Sequence, residues 1–99
     1  MSEVLERRAV SRKTANDGKH EITAETAARL RTVSGPLSVL VDGRRDTARV
    51  VAMPCTCRAE QHEHWFLEAS ALRTLGPGHE ATTILADDGR TVEIRTTVR

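Results

Sequence analysis

Residues that interrupt regular secondary structure recur so often in this chain that only short elements fit between them. The interruptions are five segments: Asn16-Asp17-Gly18, Ser34-Gly35-Pro36, Asp42-Gly43, Gly76-Pro77-Gly78 and Asp87-Asp88-Gly89. Each segment favours a turn or ends a helix. No helix between them is long enough to cover a sheet, so the strands must bury their apolar faces against one another.

The segments between these interruptions predict seven strands and two short helices. Alternating or continuous apolar residues favour strands at residues 4–13, 20–23, 37–41, 47–53, 65–67, 80–86 and 91–98. Apolar residues at helical spacing favour helices at residues 24–33 and 68–75, the first capped by Thr23, and residues 14–19 favour an exposed turn. The predicted fold class is therefore mainly β: one domain, residues 1–99, forming a small seven-stranded open barrel with two short helices.

The composition limits how the core can be built. The chain has 99 residues, of which 38% are hydrophobic and only 2% aromatic, and its aromatic residues Trp65 and Phe66 are adjacent. We therefore expect a core of Val, Leu, Ile and Ala. A protein that stacks successive single-stranded bases on aromatic side chains is disfavoured for the same reason.

Patterns that direct a chain to membranes or out of the cell are missing from the sequence. No apolar run approaches 18 residues, and no short apolar run follows a basic N-terminal patch. Two cysteines are too few for a disulfide scaffold. We expect a cytoplasmic protein with reduced thiols and no membrane partner.

Two segments of the sequence, residues 20–51 and 64–95, resemble each other. Each predicts a strand, a short helix, a break containing Gly and Pro, and then two strands joined by an Asp-Gly turn. The triplets Leu30-Arg31-Thr32 and Leu72-Arg73-Thr74 are identical. The sequence therefore predicts an internal two-fold repeat.

Two cysteines and two histidines form the most specific motif. Cys55 and Cys57 are two residues apart, and so are His62 and His64, and alternate residues of a strand share one face. A hairpin with residues 58–61 as its loop would pair Cys57 with His62 and Cys55 with His64. Sulfur and imidazole are the ligands that zinc prefers, so the motif predicts a zinc site. The alternative is a pair of small buried thiols beside surface histidines.

Basic residues are concentrated near the N-terminus. Residues 1–50 hold ten Lys or Arg against seven Asp or Glu, although the whole chain has a net charge of only +1. On duplex DNA, Arg12 could hydrogen bond to guanine, Asn16 could hydrogen bond to adenine, and Lys13 and Lys19 could contact phosphates. The alternative is an edge strand whose charges block aggregation.

The order of the predicted elements resembles the DNA-binding pseudobarrel of plant transcription factors, which is shared with effector domains of some restriction endonucleases. Residues 11–20 (the first arm), residues 55–64 (the second arm) and the segment FLEASALRTLGPGHEATTIL at residues 66–85 carry the resemblance. It implies an open barrel whose two arms grip the major groove, with Arg58 and Gln61 at the tip of the second arm joining the contacts of the first. Swapped-hairpin regulators and double-psi barrels are similar in part.

These observations favour binding of duplex DNA, with a DNA sequence or a modified base being read and with a nuclease domain or protein as a partner. The alternative is a protein-interaction module of the immunity or toxin-neutralising type, which the near-neutral charge favours. Catalysis is not expected, because a hairpin tip offers little concave volume for a substrate.

Overall fold

Seven strands and three short helical segments make up the part of the chain that the computed structural model describes, residues 2–32, 35–55 and 62–98. The strands are β1 (Glu3–Ala9), β2 (Lys19–Ile22), β3 (Leu37–Val41), β4 (Arg44–Cys55), β5 (His62–Glu68), β6 (Glu80–Leu85) and β7 (Thr91–Thr97). The helical segments are α1 (Arg12–Asp17), α2 (Ala24–Leu30) and a 3₁₀ helix (Ser70–Thr74). None of the described helices is long and apolar enough to cross a membrane.

The strands form one curled sheet in the order β1-β6-β7-β3-β4-β5-β2. All neighbouring pairs are antiparallel except β3 and β7, which are parallel. The two edge strands, β1 and β2, are consecutive in the chain and approach each other across the open side of the sheet. We call this side the seam, and side chains bridge it: Glu6 accepts hydrogen bonds from Thr23, and Arg8 contacts Glu21. The predicted mainly-β open barrel is confirmed.

Aliphatic side chains fill the concave side of this sheet. In the central pair, Val39 lies opposite Val92 and Val41 lies opposite Ile94, and all four side chains are buried. Trp65 is only partly buried and packs at the margin of this core. The core is thus built from small and branched aliphatic residues, as the composition predicted.

The two similar segments have the same local order but different strand partners. Leu30 in α2 and Leu72 in the 3₁₀ helix are 1% and 0% exposed, so both are core residues. A two-fold repeat would also require β6 to pair with β4, just as β3 pairs with β7. The neighbours of β6 are instead β1 and β7. The repeat therefore describes the local units and not the assembled sheet.

The first predicted strand, residues 4–13, was too long, and the predicted exposed turn at residues 14–19 was wrong. The strand ends at Ala9, and helix α1 follows because Ser11 caps it by accepting a hydrogen bond from the Thr14 amide. Gly18 ends the helix with a φ of 69°. A Cβ atom there would lie 2.7 Å from the Ala69 carbonyl oxygen, so the close packing of this corner requires glycine.

The shared role of the two core leucines gives a stability prediction. Replacing either Leu30 or Leu72 with Ala leaves a cavity and should lower the free energy of unfolding by about 2–5 kcal/mol. Arg73→Ala, one residue along on an exposed position, should cost well below ~1 kcal/mol. Urea unfolding of the three variants measures these values. If Leu30→Ala strongly lowered the free energy of unfolding and Leu72→Ala did not, the two helices would not have equal roles in the core.

A buried histidine interrupts the aliphatic core. His20 is 1% exposed, and its Nδ1 lies 3.4 Å from the Thr14 hydroxyl, which itself donates to the Lys19 carbonyl. Nδ1 therefore donates to Thr14, and the buried Nε2 has no hydrogen-bond partner among the described residues. Burial lowers the pKa of His20, and the carboxylate of Glu6 opposes this only in part.

This lowered pKa predicts how stability depends on pH. Below about pH 6.5, His20 becomes protonated in the unfolded chain but stays neutral in the folded protein. The free energy of unfolding therefore falls as the pH falls. His20→Leu should remove that part of the slope. Urea titrations of both proteins between about pH 7.5 and 5 test this, and an identical pH dependence would show that His20 does not contribute.

Candidate metal centre

The second arm is the end of the long β4–β5 hairpin. Cys55 lies opposite His62, and Met53 lies opposite His64. The predicted pairing of Cys55 with His64 is wrong by two residues, and the predicted loop at residues 58–61 lies outside the described residues. A shift of two residues leaves each side chain on the same face of a strand, so the alternating pattern could not distinguish the two registers.

Three of the four predicted metal ligands converge on one face of this hairpin. One donor atom each from Cys55, His62 and His64 lies within 4.8 Å of the other two, and all three side chains are partly buried. The Nε2 atoms of the two histidines are 3.1 Å apart, and the rings meet edge to face at 61°. Cys57 lies outside the described residues.

A carboxylate from β2, which is far away in the sequence but pairs with β5 in the sheet, orients one of the histidines. Glu21 in β2 places Oε2 3.0 Å from the His64 Nδ1, and Arg8 in β1 places Nη1 3.4 Å from the same oxygen. A carboxylate only accepts, so Nδ1 of His64 carries the hydrogen and donates it. The hydrogen bond to Glu21 raises the pKa of His64, and a smaller contribution in the same direction comes from a hydrogen bond to Cys55.

The spacing of the two histidine nitrogens is compatible with a tetrahedral ion. Two imidazole nitrogens bound to zinc at about 2.0–2.1 Å lie about 3.3 Å apart in a regular tetrahedron. The separation of the His62 and His64 Nε2 atoms, 3.1 Å, is close to this value and also allows one ring to donate a hydrogen bond to the other. The donor atoms of Cys55, His62 and His64 all lie within 4.8 Å of one another, so this cluster could hold a metal ion.

Sequence reasoning missed Glu21 in this cluster. It precedes His64 by 43 residues, and only the pairing of β2 with β5 brings them together. Glu21 carries no local motif. A signal would have come only from predicting the β2–β5 register first.

The first-arm residues predicted to contact DNA lie at the opposite end of β5 from the metal cluster. Arg12 and Asn16 are exposed on α1. The Lys13 ammonium lies 5.4 Å above the centre of the Phe66 ring, and the Lys19 ammonium lies 3.6 Å from the Glu68 carboxylate. Two of the four first-arm residues are thus already in contact with groups of the same molecule. Of the second-arm residues, Arg58 and Gln61 lie outside the described part of the chain.

A cavity of about 450 Å³ also lies at this opposite end of the hairpin. Arg49, Glu68, Ser70 and Arg73 are among its lining residues. The Arg49 guanidinium is 2.6 Å from the Glu68 carboxylate, which Lys19 also contacts, so two cations share one carboxylate. This cavity does not include the Cys55, His62 and His64 cluster.

No protein-family model, curated protein or solved structure matches this chain. A function therefore has to be argued from the residues of the site and their geometry.

Proposed function

We propose that Cys55, His62 and His64 bind a zinc ion that joins the two strands of the second arm. The supporting observation is the convergence of the three donors within 4.8 Å on two paired strands. One thiolate and two imidazoles favour zinc over magnesium or calcium, which prefer oxygen ligands. Cys57 follows Cys55 by two residues and remains the predicted fourth ligand.

The surroundings of the cluster favour a structural metal over a catalytic one. Catalytic zinc sites keep an open coordination position and face a pocket that takes the substrate. The 450 Å³ cavity lies instead near Arg49 and Glu68, at the far end of the hairpin. The carboxylate near the donors, Glu21, is already hydrogen bonded to His64. We therefore propose a binding domain rather than an enzyme.

Zinc content provides the direct test of this proposal. The purified protein should carry close to one equivalent of zinc, measured by elemental analysis. Cys55→Ser and His64→Gln should each lower the affinity strongly because each removes a ligand. His79→Gln, which removes a histidine outside the cluster, is the matched control and should retain the metal. A protein that takes up no zinc or cobalt, with a freely titratable Cys55, would overturn the proposal.

A second function, binding of duplex DNA, is favoured by the placement of the two arms. The first arm joins β2 at Lys19, which pairs with Glu68 at one end of β5. The second arm includes Cys55 and His62, which pair at the other end of β5. Seven residues of extended strand separate these ends by about 20 Å. Lys13 of the first arm lies over Phe66, and strand alternation places Phe66 on the same face of β5 as His62 and His64. Both arms therefore border this face of the sheet, and this placement supports the proposal.

The side chains on that face give the DNA proposal its chemistry. Arg12 and Asn16 are exposed on the first arm and are available to a groove. Lys13 and Lys19 border the same face but already contact Phe66 and Glu68. Zinc on the second arm would hold its tip, where the sequence places Arg58 and Gln61, in one orientation.

The salt dependence of duplex binding tests the first arm. Affinity should fall as salt rises, and the slope of log K against log salt should become shallower by about 0.9 for each phosphate that a variant no longer binds. The triple variant Arg12→Ala, Lys13→Ala, Lys19→Ala should therefore flatten this slope.

A charge-matched variant controls for the removal of three cations. Arg44→Ala, Arg45→Ala and Arg90→Ala remove exposed residues of the other hairpins and should leave the slope unchanged. If the wild type and both triple variants had the same salt dependence of duplex binding, the first arm would not contact the phosphates. Absence of any duplex binding would favour the protein-interaction alternative.

A further inference from the structure

The metal cluster is one end of a continuous series of polar contacts that crosses the seam. His64 in β5 donates to Glu21 in β2, whose same oxygen lies 3.4 Å from Arg8 in β1. The Arg8 Nε lies 3.6 Å from Oε2 of Glu6, also in β1. Oε1 of Glu6 accepts hydrogen bonds of 2.8 Å from the Thr23 amide and 3.1 Å from its hydroxyl. We call these five residues the seam relay.

We propose that the seam relay couples metal binding on the second arm to closure of the seam, and that Glu21 is the positioning residue through which it acts. This inference rests on the zinc site proposed above and adds the regulation of that site. It predicts that metal loading tightens β1 and the start of α2, although neither contributes a ligand.

The coupling follows from the chemistry of a metal-bound histidine. With Nδ1–H donated to Glu21, the Nε2 atom of His64 has a lone pair that would bind the metal. A bound cation draws electron density from the ring, which strengthens the Nδ1–H hydrogen bond to the carboxylate. Glu21 is then held more firmly in the position that Arg8 also contacts.

The seam depends on side chains because its edge strands pair elsewhere. β1 pairs with β6, and β2 pairs with β5, and the described sheet has no ladder between β1 and β2. The Glu6 carboxylate also reaches Thr23, the residue that caps α2. A gain in order at Glu21 is therefore transmitted to both the edge strand and the helix.

The reverse effect must hold, since coupling between two equilibria is reciprocal. If metal binding stabilises the closed seam, then weakening the relay must weaken metal binding. Residues that make no contact with the metal thus become measurable determinants of its affinity.

Zinc affinity, measured by competition with a chromophoric chelator, tests the relay. Glu21→Gln should bind zinc about 10–100-fold more weakly, the usual effect of removing the carboxylate behind a metal-bound histidine. Glu21→Asp should recover part of the affinity, and Arg8→Met should cause a smaller decrease. Glu93→Gln is the matched control, because Glu93 also pairs with an arginine, Arg95, but on β7. The thiolate-to-cobalt absorption of the cobalt forms reports whether Cys55 still binds the metal in each variant.

Amide hydrogen exchange provides a second readout at the far end of the relay. Zinc should slow exchange of the Thr23 amide, which donates to Glu6, in the wild type and much less in Glu21→Gln and Arg8→Met. The Thr96 amide, which donates to Asp42, is the internal reference for a general gain in stability.

The outcomes separate the two proposals. A wild type that binds no zinc overturns the proposed metal site itself. Binding by the wild type and Glu21→Gln within twofold of each other, with equal protection of Thr23, overturns the relay alone. If Glu21→Gln does not fold, Arg8→Met provides the test. The relay is overturned if zinc slows exchange of the Thr23 amide in Arg8→Met as much as it does in the wild type.

Discussion

Parallel pairing of β3 with β7 is the interaction on which the rest of this structure depends. It joins the β3–β4 hairpin to the β6–β7 hairpin, and it places Val39 against Val92 and Val41 against Ile94 in the centre of the core. Parallel pairing needs a crossover, which the chain provides by passing through β4, β5, the 3₁₀ helix and β6 before it reaches β7. Without this pair, each hairpin would expose its apolar face and neither edge strand would be brought to the seam.

Placing β1 and β2 at the two edges leaves the seam to polar side chains. Glu6, Arg8 and Glu21 form the contacts there, and the metal cluster adjoins them. Charged groups at an open edge also discourage pairing with other chains. Glu21 thus takes part both in the contacts that close the half-barrel and in the hydrogen bond that orients His64, a proposed metal ligand.

Features determined by neighbouring residues were predictable from the sequence. The Asp42-Gly43 turn is one: Val41 pairs with Arg44, and both turn residues have positive φ, as a tight hairpin requires. The Thr23 cap of α2 is another, with its hydroxyl accepting from the Thr26 amide. Three of the four predicted metal ligands also converge, because strand alternation alone places them on one face.

Features determined by distant residues were not predictable in this way. Helix α1 competes with a turn over the same residues, and the packing of Gly18 against Ala69, far along the chain, favours the helix. The register of the second arm depends on residue pairs at the other end of the β4–β5 hairpin, such as Arg49 with Glu68. Side chains of β5 alternate, so Leu67 is buried in the core while His62 and His64 lie on the other face. Changes at the metal ligands therefore leave the core packing intact, and the proposed zinc ion would act on the second arm and the seam rather than on the aliphatic core.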